Sequence, residues 1–345
     1  MPNIAVTNYS INIYKSAPEL VSFYTLKNRK KFLNIKIPGS IPITGDLSYF
    51  GGEINLNRIL PKFAFKKFYE SLKIIGHPNG IMHYSAQYIV PFDKSTNNIV
   101  TVHDIMVLAG KAKVSTFGKR ITEKAVAVYS KYENVLTDLD YVKKQLIGYG
   151  FQGNITVIPY PVSDSFAPIS DKSKLRSVLG LPKEKKLILS VSGFNSNKNI
   201  PLVKKLTKIL PENYKIVRVG GEIKDCINFV NIDNQTLNKI YNACDVLIQP
   251  STDEGFGGPV AEAMAVKLPM VISDIEPFHE ITDGFTYFAD PFSPESFLKI
   301  ILEAIDNPQV YTEKAYIRSK QFHYKIFREK IRSYYMGILS SYDHS

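Results

Sequence analysis

The segment Pro250-Ser251-Thr252-Asp253-Glu254-Gly255-Phe256-Gly257-Gly258-Pro259-Val260-Ala261-Glu262-Ala263-Met264-Ala265 follows a short apolar run over 246–249 and leads into a helical pattern from about Pro259. Proline suits a first helical position, where its missing N–H costs nothing. Gly255, Gly257 and Gly258 allow the backbone to approach a ligand closely. The free N–H groups and positive dipole end of such a helix start favour an anionic or hydroxyl-rich ligand. Glu254 and Glu262 are separated by seven intervening residues, so a loop and a first helical turn direct them into one pocket.

Outward from this segment, short apolar runs alternate with helical patterns, the mark of α/β architecture with parallel sheets. In the first half, strands are expected over 3–7, 32–37, 80–84, 98–103, 134–137 and 156–158, and helices over 60–75, 118–130 and 140–148. Pro159-Tyr160-Pro161-Val162-Ser163-Asp164 reads as a connector. A second series follows, with strands over 186–192, 214–219, 246–249 and 269–273 and helices over 200–210, 235–244 and 259–266. From Pro294 the pattern is mostly helical. The expected organisation is two Rossmann-like domains, residues 1–160 and 161–325, with a helical segment over 326–345 that crosses back to the first. Ligands of open parallel sheets bind at the carboxyl ends of the strands, and with two such domains the expected site is the cleft between them.

The composition supports a folded chain of this size. With 345 residues, 44% hydrophobic and 22% charged, disorder is excluded, and the length suits two domains. No apolar run approaches the roughly 20 residues that span a bilayer, and Met1-Pro2-Asn3-Ile4-Ala5-Val6 lacks the basic leader of a signal peptide. Cys226 and Cys244 form neither a disulfide framework nor a metal-ligand pattern, and buried positions are expected for both. A reduced, cytoplasmic protein is the expectation. The net charge of +11 is concentrated: residues 1–160 hold 20 Lys and Arg against 10 Asp and Glu, and the remainder is nearly balanced. That asymmetry turns the first half toward something anionic.

The motif resembles the retaining glycosyltransferases of family 4, which carry Glu-Gly-Phe-Gly, a proline and Glu-Ala-Met-Ala. Thr101-Val102-His103-Asp104 is similar to that family's Val-His-Asp at a strand end. Ser192-Gly193-Phe194-Asn195-Ser196-Asn197-Lys198-Asn199 is similar to its phosphate loop, and residues 228–251 and 269–280 to its later strand and loop segments. Lys267 stands where the family has a glycine.

The resemblance implies the GT-B fold, two Rossmann-like domains facing each other across a cleft, and transfer of a sugar from a nucleotide-sugar donor to an acceptor hydroxyl with retention of configuration. It implies that Lys198 binds the diphosphate, with Gly193 in the same loop and Asn199 capping the next helix. Glu262 would accept from the ribose hydroxyls and Glu254 from the transferred sugar, while Gly255, Phe256 and Gly257 offer backbone contacts. His103 would meet the donor sugar near the reacting carbon and, with Glu254, forms the expected catalytic set. No cofactor or metal is expected: no Asp-x-Asp or His/Cys cluster has ligand spacing, and Lys198 with helix N-termini would serve the phosphates.

The basic N-terminal half is expected to bind the acceptor, a glycan, lipid or lipid-linked sugar. On a helix over 60–75, Lys62, Lys66 and Lys73 share one face opposite an apolar one. Together with the Lys27-Asn28-Arg29-Lys30-Lys31 cluster they suggest peripheral contact with an anionic membrane surface. No nucleic-acid-binding motif is present, which argues against RNA or DNA as acceptor. The competing reading is a non-catalytic sugar-nucleotide or polyanion-binding protein on the same scaffold.

Overall fold

The computed structural model describes residues 21–26, 72–76, 81–84, 98–106 and 133–342. They fall into two compact units: residues 159–327 form one, and residues up to 158 together with those from 328 onward form the other.

In the latter unit the described strands are β1 (Val21–Leu26), β2 (Leu72–Gly76), β3 (Ile81–Tyr84), β4 (Asn98–Val102), β5 (Asn134–Thr137) and β6 (Asn154–Val157). They form one sheet in the order β2-β1-β3-β4-β5-β6, parallel except for the antiparallel β1–β2 pair. Helix α1 (Asp140–Gly148) makes the crossover from β5 to β6 and buries Tyr141, Val142 and Leu146. Ile99, Val100, Val135 and Leu136 are fully buried, as expected of parallel strands whose neighbours cover both faces.

The other unit is a doubly wound sheet. Its elements in chain order are α2 (Lys172–Val178), β7 (Lys186–Val191), a 3-10 turn (Ser196–Lys198), α3 (Ile200–Ile209), β8 (Tyr214–Val219), β9 (Ile227–Phe229), α4 (Asn234–Ala243), β10 (Val246–Gln249), α5 (Gly258–Ala265), β11 (Met270–Ser273), α6 (Glu276–Thr282), β12 (Tyr287–Ala289), α7 (Pro294–Asp306) and α8 (Gln309–Ser319). The strand order β12-β11-β10-β7-β8-β9 is parallel throughout. The chain winds outward from β7 to β9, then returns to the other side of β7 to lay down β10, β11 and β12. The direction of winding thus reverses between β7 and β10, the switch point at whose carboxyl ends sheets of this kind bind their ligands.

Local sequence explains the boundaries. Asp171 caps α2 by accepting from the Lys174 N–H at 2.8 Å, and Asp233 caps α4 through the Thr236 N–H at 2.7 Å. Ser293 caps α7 through the Ser296 N–H, with Pro294 at the first helical position. One core joins Val203 and Leu206 of α3, Phe297 and Ile301 of α7, and Ile188, Ile248 and Val271 of the sheet. A buried aliphatic or aromatic side chain of this kind contributes about 1.5–3 kcal/mol.

The last helix, α9 (Tyr324–Tyr342), runs from one unit into the other. Its Tyr335 is fully buried and its hydroxyl lies 2.6 Å from His83 Nδ1, while His83 Nε2 lies 2.7 Å from Thr101 Oγ1. Burial, and secondarily the charge of His103, pulls the His83 imidazole down to about 3. His83 is thus a neutral hydrogen-bonded tether inside the unit.

Several expectations change. The pattern over 60–75 is not one helix, because 72–76 is strand β2, with Lys73 opposite Thr25 and Leu72 opposite Leu26. A run of Leu, Lys, Ile and Ile satisfies a strand as well as a helical turn, and β1, which arbitrates, lies far away in sequence. Lys73 therefore does not share a helical face with Lys62 and Lys66, which lie outside the described residues. So do the expected strands over 3–7 and 32–37, the expected helix over 118–130 and the cluster over 27–31. Cys244 is buried, but Cys226 is only half-buried. Lys267 adopts the left-handed conformation at φ 59 at the end of α5, where its N–H donates to the Met264 carbonyl and the Leu268 N–H to that of Ala263; its side chain pairs with Glu313 at 2.7 Å and lies 4.5 Å from the Tyr316 ring. Among the described residues no helix is long and apolar enough to cross a membrane.

Candidate functional site

Two loops leave the carboxyl ends of β7 and β10, where the winding reverses. The first, residues 192–199, carries Gly193, Lys198 and Asn199; the second, residues 250–257, carries Glu254, Gly255, Phe256 and Gly257. The Thr252 N–H donates to the Asn197 carbonyl at 2.8 Å, and the Asn197 side-chain amide donates to the Asp253 carbonyl at 3.0 Å. Asn197 is itself buried, so this clasp is shielded from water.

The loops are also joined by charge. Lys198 Nζ donates to Glu254 Oε1 at 2.6 Å and to Oε2 at 2.7 Å. Oε1 also accepts from the Ser251 hydroxyl at 2.7 Å and the Gln249 amide at 3.2 Å. The side chains of Lys198 and Glu254 are 19% and 5% exposed, so solvent screens this pair weakly. The sequence reading gave the two residues separate tasks, and the structure couples them. An ammonium has three N–H groups; Lys198 turns two onto Glu254.

Asn199 departs from expectation. Its φ of 50 is left-handed, and its side chain makes no cap; the amide donates instead to the Pro291 carbonyl at 2.6 Å. Left-handed geometry carries the side chain away from the first helical N–H groups, a conformation that asparagine tolerates better than most residues. Phe256 is core: it is buried, with its ring centroid 5.8 Å from Tyr160 and 5.4 Å from Phe322. Only its backbone remains for a ligand. Gly257, left-handed at φ 86, turns the chain into α5, where Pro259 occupies the first turn.

Glu262, on the second turn of α5, accepts from the Tyr241 hydroxyl of α4 at 2.7 Å. Burial pushes its carboxyl up to about 7, opposed by the Tyr241 hydrogen bond. The unfolded carboxyl titrates near 4.5, so between about 4.5 and 7 the folded protein retains a proton that the unfolded chain has released. The stabilisation is complete below the unfolded value and disappears as pH rises through about 7. Urea midpoints at pH 5.5 and 8.5 should therefore fall with rising pH by more in wild type than in Glu262→Gln. Parallel profiles would show that Glu262 does not carry this proton.

In the other unit, His103 follows β4 and its Nδ1 lies 2.6 Å from Asp138 Oδ2, with Asp138 buried at the end of β5. That bond fixes the ring's orientation. Asp104 accepts from the Met106 N–H at 3.2 Å, a turn-forming role. His279 pairs with Asp274 at 2.6 Å on the surface and stacks on Phe288. Asp138, Tyr241, Ser251 and Gln249 escaped the sequence reading. Only strand-end position hinted at Asp138 and Gln249, and no local signal marked Tyr241 as the partner of Glu262. Among the described residues no group of three or more His, Cys, Asp or Glu could hold a metal ion.

Known proteins share both the fold and the loop-bearing unit. Residues 171–321 match the family model described as Glycosyl transferases group 1. The fold is of the GT-B type: sucrose-phosphate synthase from Thermosynechococcus elongatus superposes with a TM-score of 0.66 at 18% identity, over 89% of this chain and 83% of that one. Anabaena HepE, solved in complex with UDP-glucose, gives a TM-score of 0.59 at 19% identity, over 71% of this chain and 72% of its own. Among curated proteins, the O-antigen chain mannosyltransferase RfbU of Salmonella typhimurium is 28% identical over 175 residues, 43% of this chain and 50% of RfbU. The match thus spans about half of that relative's length.

Proposed function

We propose that this protein is a glycosyltransferase that moves a sugar from a nucleoside-diphosphate-sugar to an acceptor hydroxyl with retention of anomeric configuration. The observation that carries the reading is the Lys198–Glu254 pair, which ties together the loops at the carboxyl ends of β7 and β10. A hydroxyl-rich anion at those strand ends would meet an ammonium, a carboxylate and the N-terminus of α5. The third N–H of Lys198 would donate to a phosphate oxygen and offset charge growing on the leaving diphosphate. Glu254 would accept from hydroxyls of the transferred sugar and Glu262 from the ribose. His103, oriented by Asp138, would contact the sugar near the reacting carbon. A donor phosphate oxygen would take the acceptor's proton on the face the nucleotide leaves, so Glu254 and Glu262 act in recognition and are not a nucleophile–acid pair. Neither cofactor nor metal enters this scheme.

The family match to the loop-bearing segment and the UDP-glucose complex of a GT-B neighbour support a nucleotide-sugar donor. The test is proton NMR of the purified protein with UDP- and GDP-hexoses, with and without water-soluble glycan acceptors. The reading expects release of nucleoside diphosphate and a product anomeric signal of the donor's configuration. An inverted product would refute the mechanism. Binding of the donors without hydrolysis or transfer under any condition would favour a sugar-nucleotide-binding protein.

For the acceptor we propose a glycan, lipid or lipid-linked sugar reached at the inner face of a membrane by a peripheral protein. The support is the excess of basic residues in 1–160. Co-sedimentation with vesicles containing phosphatidylglycerol should exceed that with neutral phosphatidylcholine and weaken from 50 to 500 mM salt, as screening shortens the reach of exposed charges. Equal binding to both would leave a soluble acceptor as the better reading.

A further inference from the structure

Arg218, on β8, is fully buried, and no carboxylate forms an ion pair with it among the described residues. Removing a cation from water costs several kcal/mol unless something compensates it. Here the compensation is four backbone carbonyls. Nη1 donates to the Ser190 carbonyl at 3.0 Å and to Val219 at 2.6 Å; Nη2 donates to the carbonyls of Ser192 and, at 3.3 Å, Gly193. The Phe194 ring lies 5.8 Å from the guanidinium carbon. A Cβ on Gly221 would fall 2.1 Å from that ring, so the phenyl group rests against bare backbone.

We propose that Arg218 is the positioning residue of a diphosphate subsite in the 192–199 loop, an inference that rests on the donor reading above. In a planar trans peptide the carbonyl and the following N–H point in opposite directions. Pinning the Ser192 and Gly193 carbonyls onto Arg218 therefore turns the N–H groups of Gly193 and Phe194 away from the guanidinium. Neither N–H has a hydrogen-bond partner among the described residues. Two consecutive outward N–H groups backed by a buried positive charge make an anion-binding concavity. It belongs to the loop that also presents Lys198. Burial lowers the guanidinium only to about 10, so the charge persists at neutral pH.

The experiment compares wild type, Arg218→Met and Arg218→Lys by calorimetry with UDP, GDP, ADP and dTDP, and by competition with the corresponding free nucleosides. For whichever base the wild type binds, the ratio of diphosphate to nucleoside affinity should fall tenfold to a hundredfold in Arg218→Met, with nucleoside affinity unchanged, as loss of one or two charge-assisted bonds implies. Arg218→Lys keeps a charge but cannot hold four carbonyls, and its ratio should fall at least threefold; it serves as the test if the methionine variant does not fold. An unchanged ratio in either folded variant overturns the role of Arg218 and leaves the donor reading intact. Wild type that binds none of the four diphosphates overturns both.

Discussion

Replacing Lys198 by Met is expected to lower stability by about 3 kcal/mol and to abolish sugar transfer, two losses with separable causes. The first arises because Glu254, 5% exposed, would lose the cation that compensates its burial. Breaking one side of a buried ion pair typically costs about 3–5 kcal/mol, much of it the desolvation of the partner left behind. For a unit of this size, 3 kcal/mol corresponds to a fall in Tm of about 6–12 °C. Adding Glu254→Gln removes the uncompensated carboxyl group while leaving a carbonyl to accept from Ser251, so the double variant should regain most of the lost Tm. Transfer should not return, because the diphosphate has lost its ammonium. Scanning calorimetry and a donor-consumption assay on the three variants separate the two effects. A double variant no more stable than Lys198→Met would show that the pair is not what holds the loops together. Full activity in folded Lys198→Met would remove the lysine from the site.

Gly257→Ala is the second large effect expected. At φ 86 a Cβ is strained by about 1–2 kcal/mol, and it would lie 2.8 Å from Phe278 Cε1 and 3.3 Å from Ile281 Cδ1. Both neighbours are fully buried, so neither yields without cost. With about 1–3 kcal/mol for overpacking, the variant should lose about 2–5 kcal/mol and tilt the first turn of α5. Gly258→Ala is the matched control: nothing lies within 4 Å of its Cβ and it occupies a helical position, so neutrality or a gain of up to about 1 kcal/mol is expected. Equal urea midpoints for the two variants would contradict this account of the turn.

The contrast between these residues shows what the sequence could and could not disclose. The 246–265 segment was legible because each local signal agrees with the fold. Four buried apolar or amide positions make β10, glycines make the turn, and a proline opens α5. The helix over 140–148 lies where its pattern places it. What stayed hidden depends on partners distant in sequence. Tyr241 meets Glu262 across 21 positions, Asp138 meets His103 across 35, and Lys198 meets Glu254 across 56. Periodicity carries no information about such pairs. The run at 72–76 failed for the same reason, since only pairing with β1 makes it a strand. Lys267 illustrates a third case, a left-handed position at a helix end that the sequence fills with lysine, with the backbone bonds to Met264 and Ala263 made all the same.

The central claim is that the loops after β7 and β10 together bind the diphosphate-sugar, and hydrogen–deuterium exchange tests it most directly. Saturation with a nucleotide-sugar that the protein turns over should slow exchange of amides in 192–199 and 254–262, with the largest change at Gly193, Phe194 and the first turn of α5. Turnover accompanied by unchanged exchange in both segments would contradict the account.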